Sequence, residues 1–184
     1  GRVDDPADIP RNLWYNDHLP DIVRVSQQAV TDTNEGRARL SRALIEDGIA
    51  IVNDMEHSTE SLPRLARAIG PITPSAEGLF FDVRVEIDPT NLAFTAGLLD
   101  RYYPAFLKFI RMMQEERFLM RFRSEAGNCV VFDNHRIVHG REGYVADSGR
   151  RHLRGCYTDR GALRSTYRVL ARQGFTGETS VVKD

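Results

Sequence analysis

Residues 127–144 read GNCVVFDNHRIVHGREGY, and the order of apolar and reactive side chains here bears most directly on the fold. SEAGN, ending at Asn128, makes a turn, and NCVVF after it makes a strand. The run from Phe132 to Arg141 then packs Asp133, Asn134, His135, Arg136, His139 and Arg141 into ten residues, the densest cluster of reactive side chains in the chain. His139 follows the apolar pair Ile137-Val138 and precedes Gly140, where a strand ends and backbone crowding is relieved. Neutral imidazole is the commonest protein ligand for a transition metal, although a histidine at such a position can equally be a hydrogen-bonded structural residue. His135 and His139 are an even number of residues apart, so strand alternation does not choose between them.

Working upstream, RFLMRFR at 117–123 alternates, with Phe118, Met120 and Phe122 on one side, and predicts a half-buried strand. From Arg101 to Glu116 the period is helical, with Phe106, Phe109, Ile110 and Met113 on one face. FFDVRVEI at 80–87 alternates again and DPTN after it is a turn. Nearer the N-terminus, Leu40, Leu44 and Ile45 recur at helical spacing, with Asn34 as cap and Gly48 as stop. IAIV at 49–52 is a short buried strand, and Ser58 opens a second amphipathic helix that Gly70 and Pro71 close. Downstream, RHLRGCYT at 151–158 predicts a further strand and Asp159 caps a last helix carrying Leu163, Tyr167 and Leu170. Strands joined by short turns with helices gathered toward the N-terminal side predict an α+β protein with a sandwich or barrel core. A full double sheet needs about eight strands, more than can be found, and TAGLLDRYYPAF at 95–106 passes into helix with no turn residue after Gly97.

The chain has 184 residues, 41% hydrophobic and 28% charged, with a net charge of -1. That predicts one domain with an ordinary core and argues against a nucleic-acid or membrane-surface binder. No apolar run is long enough to span a membrane. GRVDDPADIP at the start lacks an apolar signal core, and two cysteines, Cys129 and Cys156, make no disulfide framework, so a reduced cytoplasm is the expected setting. Only Lys108 and Lys183 are lysine; eight arginines lie between Arg141 and Arg172 against three acids, a pattern that either a general arginine preference or an anionic-ligand patch would produce.

Twelve residues after His139 stands Arg151, in Arg150-Arg151-His152-Leu153. A strand arginine beside a metal-bound histidine is what holding a dicarboxylate at iron requires, because its planar fork meets a carboxylate bidentately; an ordinary surface ion pair is the plainer alternative. FDN-x-R-x-x-HGR at 132–141, with RHL-x-G-x-Y-x-D at 151–159, resembles the C-terminal signature of the γ-butyrobetaine hydroxylase family, Fe(II)- and 2-oxoglutarate-dependent dioxygenases related to taurine dioxygenase. FFDVRVEIDPTNLAFTAG at 80–97 resembles the segment before that family's first iron motif, and RNLWYNDHLPDIV with GIAIV resembles the domain's start.

The resemblance implies a double-stranded β-helix (jelly-roll) core flanked by helices, an Fe(II) cofactor, and 2-oxoglutarate and O2 as cosubstrates. It makes His139 an iron ligand and Arg151 the 2-oxoglutarate anchor. It assigns Tyr157, Phe81 and Phe94 to an aromatic enclosure for a quaternary ammonium and Asn91 to the substrate's carboxylate. Glu77 stands where the family usually carries a cage tyrosine, so γ-butyrobetaine and a trimethylammonium phosphonate are both candidate substrates. The family's His-x-Asp motif is absent: none of His18, His57, His135, His139 and His152 has an acid two residues on. The expected place is just after Gly97, so one dioxygenase domain over 1–184 with an interruption near 97–100 is expected, and a catalytically inactive jelly-roll binding module is the alternative. A small cationic substrate is the expected partner, with a homodimer left open and neither nucleic acid nor membrane.

Overall fold

The computed structural model describes residues 9–76, 78–83, 99–140 and 152–178. Among them the chain forms β1 (Arg24–Ser26), α1 (Gln27–Asp32), α2 (Asn34–Glu46), β2 (Ile49–Asn53), α3 (Ser61–Ile69), β3 (Ile72–Thr73), β4 (Phe81–Val83), α4 (Leu99–Met113), β5 (Cys129–Phe132), β6 (Leu153–Gly155), β7 (Tyr157–Thr158) and α5 (Arg160–Arg172). The described elements are thus of the α+β kind. They divide into two units, one of Gly1–Leu13, Ile22–Arg84 and Ser124–Asp184, the other of Trp14–Asp21 and Val85–Arg123.

In the first unit β2 is the central strand. Ile49, Ala50, Ile51 and Val52 are all buried, so both its faces are covered, and its backbone groups must pair on both edges. β1 lies parallel on one edge, Val25 opposite Val52, and β5 antiparallel on the other, Ala50 opposite Val131. A parallel pair needs a crossover, which α1 and α2 supply. Val25, Val30, Leu40, Ala43, Leu44, Ala50, Val52, Leu65 and Ile69 make one core between sheet and helices, each larger side chain stabilising by about 1.5–3 kcal/mol.

The helix ends have local causes. Thr33, not Asn34, caps α2: its backbone is extended and its Oγ1 accepts from the Gly36 amide at 3.0 Å, while donating to the Ala29 carbonyl of α1 at 2.8 Å. Gly48, at φ 81°, stops α2 as expected. α3 begins at Ser61 rather than Ser58, whose hydroxyl and carbonyl hold the preceding turn instead. Asp159 caps α5 as expected, accepting from Ala162 N at 2.7 Å. Tyr167 of α5 is fully buried with Ile9 and Ile45, its hydroxyl donating to the Thr176 carbonyl at 3.0 Å.

RHLRGCYT does not form one strand. Cys156 separates β6, which pairs with β4, from β7, which pairs with β3. NCVVF forms β5 as expected, and β4 covers the start of FFDVRVEI; residues 84–87 lie outside the described ones.

In the second unit, α4 and two short 3-10 helices, Asn16–Asp21 and Glu116–Phe118, are described. The strand expected at 117–123 is replaced by that second 3-10 turn and irregular chain. Alternation states where side chains go if a ladder partner exists, and among the described residues no strand pairs with this segment. Its charges pair locally instead, Arg117 with Glu115 at 2.7 Å and Arg121 with Glu116 at 2.5 Å, while Phe118 packs on Tyr15.

Gln27 joins α1 to α3 inside the first unit. Its Nε2 donates to the Ser61 carbonyl at 3.1 Å, and its Oε1 accepts from the Ser61 hydroxyl at 2.9 Å and from the Glu56 amide at 2.7 Å. Gln27→Leu would keep the volume and strand these partners in a dry site, so a loss of about 2–4 kcal/mol in urea unfolding is expected. Leu13→Ala, at a side chain 95% exposed, should stay within about 0.5 kcal/mol. Equal effects would refute the role given to Gln27.

Candidate functional site

β4 and β6 bring the two motif segments together. Phe81 lies opposite Gly155, Asp82 opposite Arg154 and Val83 opposite Leu153. Gly155 is needed there: a Cβ on it would come within 2.5 Å of Cζ of Phe81, so the ring lies over the bare backbone. Two residues on, Tyr157 places its ring 5.3 Å from that of Phe81, tilted by 30°. Tyr157 is 45% exposed, so this ring pair offers an aromatic surface to solvent. Two of the residues expected in the aromatic enclosure are thereby in contact. Phe94, Asn91, Glu77 and Arg151 lie outside the described residues.

Alternation along β4 and β6 puts a polar group on the opposite face. His152 Nε2 lies 2.9 Å from Asp82 Oδ1, and both side chains are about half exposed. Arg154 donates to the Thr59 carbonyl at 2.9 Å and holds its guanidinium 4.9 Å from the centre of the Phe80 ring. The cation over an aromatic face here belongs to the protein itself. Gly155 and the Asp82–His152 pair are the site features that sequence reasoning missed. A lone glycine inside a strand pattern is the signal that marks close approach, whereas the cross-strand pair needs the register.

His139 is exposed, with its ring 4.6 Å from that of Phe132 at 54°. His135 is exposed as well, and its backbone amide donates to Asp133 at 3.0 Å. His18 stacks on Trp14, and His152 is engaged with Asp82. A facial triad takes two histidines and a carboxylate. All five histidines are among the described residues, and no group of three or more His, Cys, Asp or Glu among those residues is placed to hold a metal. Among the described residues, then, no donor set for such an iron centre is brought together. Nor does Cys129 offer a thiolate: burial, and secondarily the neighbouring Cys156, push its thiol up to about 11.

Gly155→Val should drive the Phe81 ring off its seat, so proton NMR contacts between the Phe81 and Tyr157 rings should vanish. Gly155→Ala should weaken them. Persistence of the contacts in the valine variant would refute the requirement for bare backbone.

Comparison with known proteins bears on what this arrangement is for. The taurine catabolism dioxygenase TauD, TfdA family matches residues 77–157, an interval that contains every site residue expected from the sequence. A gamma-butyrobetaine dioxygenase of Pseudomonas sp. (strain AK-1) is 46% identical over 71 residues, 39% of this chain and 18% of that protein. The human gamma-butyrobetaine dioxygenase is 33% identical over 73 residues, 39% of this chain and 19% of that protein. The matched stretch thus spans less than a fifth of the length of these relatives. Residues 77–157 thus match the TauD, TfdA family, and part of this chain is similar in sequence to gamma-butyrobetaine dioxygenases.

Proposed function

We propose that this chain is part of a hydroxylase acting on a small trimethylammonium zwitterion of the γ-butyrobetaine kind, with Phe81 and Tyr157 as the floor on which the cation rests. The observation that carries this is the Phe81–Tyr157 ring pair, 5.3 Å apart and open to solvent beside Gly155. A quaternary ammonium over aromatic faces gains about 0.5–2 kcal/mol per contact, more as water is excluded. Phe94 completes the enclosure and Asn91 meets the substrate's carboxylate. Glu77 adds a negative charge toward the cation, which favours a compact cationic head and leaves a phosphonate in place of the carboxylate as the second candidate.

Iron, 2-oxoglutarate and O2 belong to the proposed reaction as a whole, in which one oxygen atom of O2 enters succinate as 2-oxoglutarate loses CO2 and the other converts a C–H bond of the substrate to C–OH. Within this chain Arg151 would fork onto the distal carboxylate of 2-oxoglutarate, and His139 is the candidate for one of the metal's ligands. Among the described residues no second histidine and carboxylate are grouped with it, so no step is assigned to these residues beyond binding and orientation. An interruption of a jelly-roll core near 97–100 would account for that lack, for the described strands being divided among three small sheets, and for the short share of the relatives that is matched. If no interruption exists, the chain is a binding module that has lost turnover.

Two measurements test this. Titration calorimetry of the chain should detect γ-butyrobetaine or its phosphonate analogue. Their unmethylated amines should bind less tightly, and Tyr157→Ala should weaken the methylated ligands by about 2- to 30-fold. Equal binding of methylated and unmethylated forms would discard the aromatic platform. Sequencing the coding region across codons 97–100 should show a His-x-Asp segment; an uninterrupted reading frame there would leave only the binding module.

A further inference from the structure

β4 and β6 have three residues each, and among the described strands they make a sheet of two. A two-stranded pair is marginal in water on its own, so its register has to be fixed by side chains. On one face the fixing contact is Phe81 over Gly155. A slip of one residue would set Phe81 against Arg154 or Cys156, and its ring would lose the bare backbone beneath it. The opposite face carries Asp82, with Arg154 directly across the ladder and His152 on the diagonal.

Asp82 takes the diagonal neighbour: His152 Nε2 lies 2.9 Å from Asp82 Oδ1. Arg154 is held elsewhere, donating to the Thr59 carbonyl at 2.9 Å with its guanidinium 4.9 Å from the centre of the Phe80 ring. Among the described residues the charged and titratable groups around the Asp82 carboxylate are therefore His152 and Arg154, with His57 and Glu60 flanking Thr59 in the segment that holds Arg154. A guanidinium is always charged in a protein, whereas an imidazole changes charge between about pH 5 and 8. Asp82 is thus paired with the neighbour whose charge can be removed. The pair carries opposite charges only while His152 is protonated. Its pull is full on the acid side and falls to that of a neutral hydrogen bond on the alkaline side.

We propose that Asp82 and His152 are positioning residues for the aromatic platform, a proton-dependent clamp across β4 and β6 that holds the register in which Phe81 seats on Gly155 and meets Tyr157. The clamp lies on the face opposite the rings and acts on them through the ladder. Both of its side chains are about half exposed, so its effect on the pairing equilibrium is modest, about 2- to 5-fold. That suffices at a strand pair with little else to close it. Loss of the imidazole proton then loosens the floor on which the cation rests. The use of that floor for a cation rests on the function proposed above, whereas the ring geometry does not.

The test is NMR of the full chain without ligand at about pH 5.5 and about pH 8, on either side of the imidazole range. Opening of β4–β6, from amide exchange of its ladder corrected for the intrinsic rate, should rise about 2- to 5-fold toward the alkaline side. The proton contacts between the Phe81 and Tyr157 rings should weaken over the same interval. Asp82→Asn keeps a hydrogen-bonding group without the charge and should flatten the profile at its alkaline level, as should His152→Gln. Asp82→Glu should restore part of the profile, and His57→Gln should leave it whole. The proposal is overturned if opening is the same at both pH values, if Asp82→Asn keeps the profile, or if Asp82→Ala leaves the ring contacts as they are in the unsubstituted chain. γ-Butyrobetaine titrated into the same samples separates the two readings: ring contacts that follow the expected profile without binding would sink the substrate assignment alone.

Discussion

Because β2 presents neither face to water, its backbone has to be paired along both edges within the fold, and much of the first unit follows from meeting that condition. One edge takes β1 in parallel, which forces a helical crossover and so determines where α1 and α2 lie. The other takes β5, the strand that leads into the cluster of Asp133, His135, Arg136 and His139. The densest chemistry in the chain is therefore attached to its most buried strand. The backbone amide of Asp133 still donates to the Gly48 carbonyl at 2.8 Å, so the ladder's regularity reaches the first residue of that cluster.

Glycine serves close approach at two functionally loaded points. At Gly155 the missing side chain is replaced by the face of Phe81, and the ring pair with Tyr157 exists because of that vacancy. At Gly48 the space is taken by the guanidinium of Arg136, and the φ of 81° ends α2 where that guanidinium can reach its last carbonyls. In each case a backbone conformation or gap and a side chain far along the sequence depend on one another. A substitution at either glycine would act at a distance in sequence and at contact range in space.

The charges divide by environment. Exposed pairs such as Arg117 with Glu115 and Arg121 with Glu116 settle locally and contribute little to stability. Around Asp133 a contact reaches across the sequence instead, its carboxylate taking Arg160 at 2.9 Å as well as the His135 amide at 3.0 Å. An arginine-rich composition alone does not distinguish these cases; the tertiary contact between Arg160 and Asp133 does.

Much of the architecture was legible in residue order because it rests on short-range physics. The apolar run of β2, the helical spacing of Leu40, Leu44 and Ile45, the stop at Gly48 and the cap at Asp159 all need only near neighbours. So did the motifs on which the family resemblance rests, since they are short and contiguous. Local patterns misled where a partner decides the outcome. RFLMRFR alternates as a strand would, yet no described strand lies beside it; RHLRGCYT reads as one strand, yet Cys156 divides it between two pairings. The contact of Phe81 with Tyr157, the Asp82–His152 pair and the Arg160–Asp133 ion pair join residues dozens of positions apart. Those were settled only by tertiary structure, because register and helix packing, not sequence spacing, bring such groups within a few ångströms of one another.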